Sequence, residues 1–313
     1  MNRWNYALVR LLQAIPTFFI IMFLVFMLVR LLPGDPASAI LGDRATEEAV
    51  ARINAQMGLD RPLPVQFGYF VRNFFQGELG DSISYKIPVS QLIWQRLPVT
   101  IFLTLYAGVV AVIISVPLAF VAAVRQGSLV DNTIRAVFQV GLSLPVFYVG
   151  LLLLTVLGAK LNLFPIGGYG DTVGQHFYHL FLPALSLGFG LAAILMRNLR
   201  AAIVEVLTAE YVDFARAKGL RSRIIMSKHV LRNAMISTVT LLGLNIGALF
   251  GGAVITESVF AIPGVGRLMV DAIYGRDYAV VQALALTFAI LVFIVFLVTD
   301  LVYAQLDPRV EMA

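Results

Sequence analysis

Side chains that could act as catalysts, nucleotide ligands or metal ligands are scarce in this chain of 313 residues. None of its four lysines lies in the G-x-x-x-x-G-K-[ST] pattern that holds nucleotide phosphates. Its three histidines form no H-E-x-x-H motif, no G-x-S-x-G turn is present, and there is no cysteine. His176 and His179 have the spacing of a pair of metal ligands. Because they lie beside an apolar stretch, we favour the interpretation that they are residues at a membrane interface. We therefore expect no catalytic residue, no metal site and no cofactor held by this chain, and no enzyme activity of its own.

A charged segment, residues 197–233, suggests instead the binding of another protein. It carries eight basic residues and three acids. From 207 to 218 it lacks glycine and proline, and Gly219 follows, which predicts a short helix with a left-handed cap. Ser222 is expected to cap a second helix that runs through Arg232 into the next apolar stretch. A charge run alone is usually a solvated face, but small residues beside this turn leave room for a partner with an acidic rim.

The composition of the whole chain indicates that a bilayer surrounds it. Hydrophobic residues make up 59% of the sequence and charged residues 13%, which does not suit a water-soluble domain. Six stretches are long enough for a helix to cross a hydrocarbon core of about 30 Å. They are 11–32, 98–124, 134–159, 177–196, 234–256 and 281–303. The sequence predicts an all-α membrane protein with six transmembrane helices in one domain, residues 1–313.

The distribution of basic residues predicts the orientation of this domain. Positive charge in short loops is retained on the cytoplasmic side, so segment 197–233 is expected there. Six spans then place both termini inside, in agreement with Arg3, Arg10 and Arg125. The connection 33–97 has six basic residues and seven acids and is expected to be an extracytoplasmic insertion. The first span is too long for a signal peptide and lacks a cleavage site, so we expect it to stay as an anchor.

The insertion 33–97 carries two helical patterns. Thr46 as an N-cap, with Val50, Ile53 and Met57 on one face, predicts a helix that ends at Gly58. A second helix is predicted before Gly77 by apolar residues at helical spacing, which are Phe67, Phe70, Val71, Phe74 and Phe75. We favour packing of a small outer subdomain or contact with lipid headgroups over a peptide-contacting surface.

Stripes of small residues mark faces where helices can approach closely. One is Gly243, Gly247 and Gly251 in the fifth span, and another is Ala184, Gly188 and Ala192 in the fourth. Bundling within the chain is the favoured reading, and an interface with a partner chain in the membrane or a moving pathway wall is the alternative. Asn245 lies beside the glycine face, where it either lines a path or bonds a neighbouring helix, and we favour the bond.

The charged segment also resembles a family signature, the EAA motif of permeases of binding-protein-dependent ABC importers, written EAA-x3-G-x9-I-x-LP. Ala215, Gly219 and Leu231 match it, and Asp213 stands for its acid. Where the segment departs from the general form, it resembles the branch of the family that serves dipeptides, oligopeptides and nickel. Members of that branch commonly contain the sequences A-R-A-K-G and H-x-L-R-N-A, which occur here at 215–219 and 229–234. By this likeness the residues that couple to an ATPase are Asp213, Phe214, Ala215, Arg216, Lys218, Gly219, Leu220, His229, Leu231 and Arg232.

The resemblance extends over nearly the whole chain. Its other pieces are L-P-G-D-P at 32–36, G-L-D-x-P at 58–62, G-E-L-G-x-S at 77–82, E-x-x-F-x-x-P-G-x-G at 257–266, R-D-Y at 276–278 and D-P at 307–308. Each is modest alone, but their order and their places relative to six spans make a strong match.

The resemblance implies the type I ABC importer permease fold in a bacterial-type inner membrane. It implies as partners a second, similar permease, two cytoplasmic ATPases that use ATP and magnesium, and an extracytoplasmic binding protein that delivers a peptide. Residues 213–219 would be the coupling helix in a groove of one ATPase. The segment with Glu257, Pro263 and Gly264 would help to form the outer gate, and an ordinary tight connection is equally open on the residues alone.

Several substrates and two other classes of function stay open at this point. Dipeptides or oligopeptides are the first expectation, with glutathione, opine-like conjugates or a nickel chelate as alternatives. An ATP-independent secondary transporter would need carboxylates within the membrane, and we find none in the middle of a span. A scaffold subunit of a membrane complex is the remaining class.

Overall fold

The computed structural model describes residues 3–31 and 61–306, and helices dominate both ranges. The helix predicted from Thr46 to Gly58 lies outside the described residues. Within them the elements, in chain order, are α1 Arg3–Leu31, α2 Leu63–Gln76, α3 Val89–Val124, α4 Leu129–Ser143, α5 Val146–Leu153, α6 Val173–His179, α7 Phe181–Leu207, α8 Glu210–Ala217, α9 Ser222–Ile224, α10 Arg232–Val259, α11 Val265–Tyr274 and α12 Tyr278–Leu306. Two π-helical segments, Leu154–Lys160 and Ile225–Leu231, follow α5 and α9. The expected all-α class is confirmed.

Four helices of the described part are long and apolar enough to cross a membrane as straight spans. They are Val89–Val124, Phe181–Leu207, Thr238–Val259 and Tyr278–Leu301. α1 covers the first predicted span, and its apolar part includes Leu11–Met27. The fourth predicted span, 177–196, corresponds mainly to α7, and this helix continues to Leu207 through the polar residues from Arg197 onward.

The third predicted span, 134–159, is not one straight helix. α4 and the helix Val146–Lys160 meet at an angle of 108°. The break lies at Leu144, which has extended backbone angles of φ −89° and ψ 133°. Pro145 follows it, and the proline ring disfavours the helical conformation of the residue before it. The apolar stretch was predicted correctly, and its geometry was not.

The small residues of α7 pack against α3. Ala184, Gly188 and Ala192 are all buried. A Cβ atom at Gly188 would meet the carbonyl oxygen of Ala107, so only glycine allows this backbone approach. The stripe therefore serves bundling within the chain, as expected, and α3 and α7 form the centre of the core.

The glycine stripe of α10 has a mixed role. A Cβ atom at Gly243 would meet Thr299 of α12, and one at Gly247 would lie 3.5 Å from the ring of Phe296. Gly251 is exposed and has no atom within 4 Å of such a Cβ. Asn245 donates its amide N–H to the carbonyl oxygen of Leu241 at 2.8 Å, one turn back in the same helix. The favoured bond from Asn245 to a neighbouring helix was therefore wrong.

The aromatic helix predicted before Gly77 is confirmed as α2, and it packs on α1. The ring centroids of Phe26 and Phe67 lie 5.3 Å apart, and those of Phe18 and Phe74 lie 5.9 Å apart. Gly77 ends α2 in the left-handed conformation, at φ 77°. The phenylalanines thus serve packing between helices, which was the favoured reading.

Candidate functional site

The charged segment folds around α8, which ends in a glycine cap of the Schellman type. The N–H of Gly219 donates to the carbonyl of Arg216 at 2.9 Å, and the N–H of Leu220 donates to the carbonyl of Ala215 at 3.2 Å. Gly219 has φ 75°, which is costly for any residue with a side chain. The predicted short helix and its left-handed cap are both confirmed.

α8 has one buried face and one exposed face. Val212 and Ala215 belong to the main hydrophobic core, together with Ile225 and Val230 of the following π-helical segment. Ala215 therefore holds α8 in place from its inner side and does not lie on the exposed face.

The exposed face of α8 combines an aromatic ring with an ion pair. The side chain of Phe214 is 67% exposed. Arg216 donates to the carboxylate of Asp213 at 3.0 Å, and both side chains point into solvent. The run from Arg216 to Ile224 is exposed throughout, and it includes Lys218, Gly219 and Leu220. A basic and partly apolar surface of this kind can dock a partner whose groove is apolar with an acidic rim.

A direct link joins α8 to the start of α10. Asn233 donates its side-chain N–H to the Tyr211 hydroxyl at 2.9 Å, and that hydroxyl donates to the carbonyl of His229 at 3.4 Å. His229 and Leu231 are half-buried and Arg232 is exposed. These two hydrogen bonds connect α8 to the segment that leads into α10.

The second predicted helix of this segment is present, with one correction at its start. Arg221 occupies the N-cap position and makes no side-chain cap, while Ser222 is the first helical residue. The chain then continues through the π-helical segment Ile225–Leu231 into α10. The expected capping role of Ser222 was wrong, and the continuity into the fifth span is confirmed.

At the other end of the bundle, Glu257 anchors the connection between α10 and α12. Its carboxylate accepts from the Thr100 hydroxyl at 2.5 Å and from the N–H of Arg267 at 2.9 Å. The same hydroxyl accepts from the N–H of Val265 at 2.9 Å. Glu257 is fully buried and satisfies free N–H groups at the start of α11, where negative charge is favourable.

The residues near Glu257 explain the P-G-x-G part of the sequence. A Cβ atom at Gly264 would meet the Glu257 carboxylate, and one at Gly266 would lie 2.6 Å from the Cα atom of Val254. Glycine is therefore required at both positions for the carboxylate and the backbone of α10 to come this close. Pro263 is exposed.

Two motifs from distant parts of the sequence meet at Asp277. Ser82 donates its hydroxyl to the Asp277 carboxylate at 2.6 Å, and the N–H of Ser84 donates to it at 3.1 Å. Asp277 is fully buried and also accepts from the N–H of Val280 in the first turn of α12 at 3.4 Å. The sequence indicated both motifs, and only the structure shows that each one binds the other.

A buried ion pair, which sequence reasoning missed, ties α4 to α7 near the charged segment. Arg200 donates to both carboxylate oxygens of Asp131, at 2.7 and 2.6 Å. The N–H of Gly127 donates to the same carboxylate at 2.9 Å. The position of Asp131, an acid in the first helical turn at the edge of an apolar stretch, was a sign in the sequence that this side chain needs a partner. Its partner lies 69 residues away, which no local pattern indicates.

The two histidines outside the charged segment hold the preceding loop, which contains Gly167 and Tyr169, against α6. The Nδ1 atoms of His176 and His179 lie 2.9 Å from the carbonyl oxygens of Tyr169 and Gly167. The ring of His176 also stacks on Tyr169, with centroids 3.8 Å apart. In the ranges that the structure describes, no three histidine or acidic side chains converge as a metal site would require.

Taken with the broken third span and the capped, partly basic helix α8, the helical bundle defines a membrane permease of the type I ABC importer fold. It is similar in fold to the MetNI methionine ABC transporter in inward-facing conformations, with a TM-score of 0.58 and 19% identity over 69% of this chain and 97% of that one. It is also similar to an amino acid ABC transporter with histidines, with a TM-score of 0.55 and 15% identity over 69% of this chain and 94% of that one.

The chain belongs to the family of binding-protein-dependent transport system inner membrane components, whose model matches residues 115–312 and whose N-terminal model matches residues 3–104. It is 41% identical over 307 residues to the glutathione transport system permease protein GsiC of Pectobacterium atrosepticum, covering 98% of this chain and 99% of that one. It is 40% identical over 308 residues to the protein of the same name from Escherichia coli strain K12, with the same coverage. The chain is thus the permease of an ABC importer.

Proposed function

We propose that this permease forms half of the translocation pathway for glutathione or a closely related peptide. The proposal of glutathione as substrate rests on the 40–41% identity, over 98% of the chain, to permeases named for glutathione transport. Dipeptides and oligopeptides, the first expectation, become the second candidate. Opine-like conjugates and a nickel chelate have no comparable support.

The proposed partners rest on membership of the family of binding-protein-dependent transport components. The sequence contains no P-loop, and in this proposal ATP and magnesium are bound by two cytoplasmic ATPase subunits. A second, similar permease completes the pathway, and an extracytoplasmic binding protein delivers the substrate. In this arrangement both termini and α8 face the cytoplasm, as the basic residues of segment 197–233 indicate.

Coupling in this proposal depends on α8 as a rigid lever. Its inner face is held by Val212 and Ala215, and its outer face offers Phe214 and Arg216 to an ATPase groove. Tyr211 connects α8 to the first turn of α10. An ATP-bound pair of ATPases shifts the permease between inward-facing and outward-facing states only if it binds α8 more tightly in one of them.

The outer ends of α10 and α12 act as one rigid gate segment, residues 257–278. Glu257 fixes the start of this segment to α3, and Asp277 fixes its end to the loop that contains Ser82. Gly264 makes the first of these contacts possible. The segment therefore moves with α3 when the pathway opens.

The test of substrate is uptake into proteoliposomes that contain the complete transporter and its binding protein. ATP-dependent accumulation of labelled glutathione, exceeding that of labelled dialanine, is expected. Uptake of dialanine alone would make the glutathione assignment wrong and leave the importer intact. Uptake without the ATPases would instead support a secondary transporter, for which family membership gives no support.

A further inference from the structure

A cleft of about 650 Å³ lies between α4 and α7, next to the buried ion pair of Asp131 and Arg200. Its α4 side runs from Asn132 to Leu142, and its α7 side runs from Ala193 to Ala201. At 1.5 Å of rise per residue, the ten steps along α4 cover about 15 Å, which is about half of a 30 Å hydrocarbon core. The length of the cleft along α4 is therefore comparable with the thickness of one bilayer leaflet.

The mouth of the cleft is basic. Arg135, Arg197 and Arg200 line it, beside the side-chain amides of Gln126 and Gln139. Both carboxylate oxygens of Asp131 accept from Arg200, and the charge of Asp131 also attracts Arg135, so one acid lies beside three arginines and the mouth keeps a net positive charge. Within the described ranges, neither Arg135 nor Arg197 forms an ion pair, and both are exposed. Two guanidinium groups are thus available to an anion.

The inner part of the cleft is apolar. Phe138, Leu142, Ala193 and Met196 line it. Phe138 stacks on Phe189 of α7, with ring centroids 5.6 Å apart, which holds the two helices together at this depth. A charged mouth that leads to an apolar floor over about 15 Å matches a molecule with an anionic head and a hydrocarbon chain.

We propose that this cleft binds an anionic phospholipid. The phosphate lies at Arg135 and Arg197, whose planar guanidinium groups suit bidentate contact with phosphate oxygens. One acyl chain follows Phe138 and Leu142 toward the middle of the membrane. Basic pockets between transmembrane helices are a recognised form of lipid headgroup site. This site is separate from the exposed face of α8 and depends neither on the substrate nor on which leaflet faces the mouth.

The test titrates the complete, delipidated transporter with phosphatidylglycerol or phosphatidylcholine and counts bound lipid by native mass spectrometry. Each removed charge is expected to weaken phosphatidylglycerol binding about fivefold, so the double substitution R135Q/R197Q should weaken it about 25-fold. The binding of phosphatidylcholine should not change. R125Q is the matched control, because Arg125 is exposed nearby at the end of α3 and does not line the cleft. It should bind phosphatidylglycerol as the unmodified protein does.

Two further arms keep the outcome clear. R135K/R197K retains the charge but loses the planar guanidinium groups, so its affinity for phosphatidylglycerol should lie between those of R135Q/R197Q and the unmodified protein. A136E should lose affinity without removal of an arginine. Unchanged phosphatidylglycerol binding in R135Q/R197Q would overturn the proposal. Displacement of the lipid by equimolar glycerol phosphate would show a site for free anions, and displacement by glutathione would place the cleft on the substrate route. Either result would also overturn the lipid assignment.

Discussion

At the scale of single residues, Gly219 ends the helix α8 that presents the exposed charged surface. Its φ of 75° lets the chain turn back over the last carbonyls of α8, and no atom lies within 4 Å of the place a Cβ would take. A side chain here would therefore strain the backbone without meeting a neighbour. The sequence predicted this cap, because a stretch without glycine or proline ends at a single glycine.

We expect Gly219→Val to reduce uptake severalfold while membrane insertion stays normal. A residue with a Cβ costs about 1–2 kcal/mol in the left-handed conformation, and a β-branched one costs more, so the end of α8 should rearrange. Radiolabelled uptake and membrane abundance by immunoblot measure the two effects.

Gly77→Val is the matched control for that substitution. Gly77 has the same left-handed geometry and equally open surroundings, but it caps α2 in the outer insertion. It should impose similar strain with a smaller loss of coupling between ATP hydrolysis and uptake. Equal uncoupling in both variants would contradict a specific role for the α8 cap.

The hydrogen-bond partner of Glu257 is a feature at this scale that the sequence could not predict. Its place near the end of a span and before P-G-x-G suggested a gate residue, but its partner Thr100 lies 157 residues away. Because the carboxylate receives a hydroxyl and backbone N–H groups while fully buried, its role in the fold became evident only from packing.

Glu257→Gln should destabilise the protein by about 1.5–3 kcal/mol, because a carboxylate that accepts N–H and O–H donors is replaced by an amide that brings two donors of its own. Thermal unfolding in detergent measures this change. Glu78→Gln, at an exposed position, should have little effect. Equal unfolding temperatures for the two variants would show that Glu257 does not hold α11.

At the scale of helices, the ion pair of Asp131 and Arg200 fixes α4 against α7, the helix that leads into the charged segment. Asp131 is fully buried, and Arg200 keeps 17% of its side-chain surface exposed. The pair also closes one side of the lipid cleft. Breaking it leaves a charge without a partner, which costs far more than loss of an exposed pair.

Asp131→Asn is therefore expected to cost about 3 kcal/mol, at the low end for a buried pair because Arg200 keeps some exposure. Asp213→Asn, in the exposed pair with Arg216, should cost less than about 1 kcal/mol. Chemical denaturation of both variants checks the difference. The double substitution D131N/R200Q should recover part of the loss, and strict additivity would argue against a direct interaction.

The broken third span shows where sequence patterns stop at this scale. Apolar length alone cannot separate one straight span from two helices at 108°. Pro145 was visible in the sequence, but a proline can also be accommodated within a transmembrane helix. Packing against α7 decides the outcome, since Phe138 before the break stacks on Phe189.

At the scale of the whole molecule, the sequence predicted the helical class, the apolar stretches that form the long helices of the described part, and the short capped helix α8. These follow from composition and local spacing, which the bilayer constrains strongly. The three polar anchors at Asp131, Glu257 and Asp277 did not follow, because each joins residues far apart in sequence. They hold helices together at the two ends of the bundle.

In the proposed function, the exposed face of α8 meets an ATPase. Because the sequence contains no cysteine, a single introduced cysteine can be labelled selectively to measure this contact. Phe214→Cys, carrying a thiol-specific photo-cross-linker, should give one covalent product with the ATPase in the purified transporter. Trp94→Cys, whose parent residue is 74% exposed at the other end of the bundle, is the matched control and should give none. Cross-linking to the ATPase from position 94, or its absence from position 214, would contradict the account.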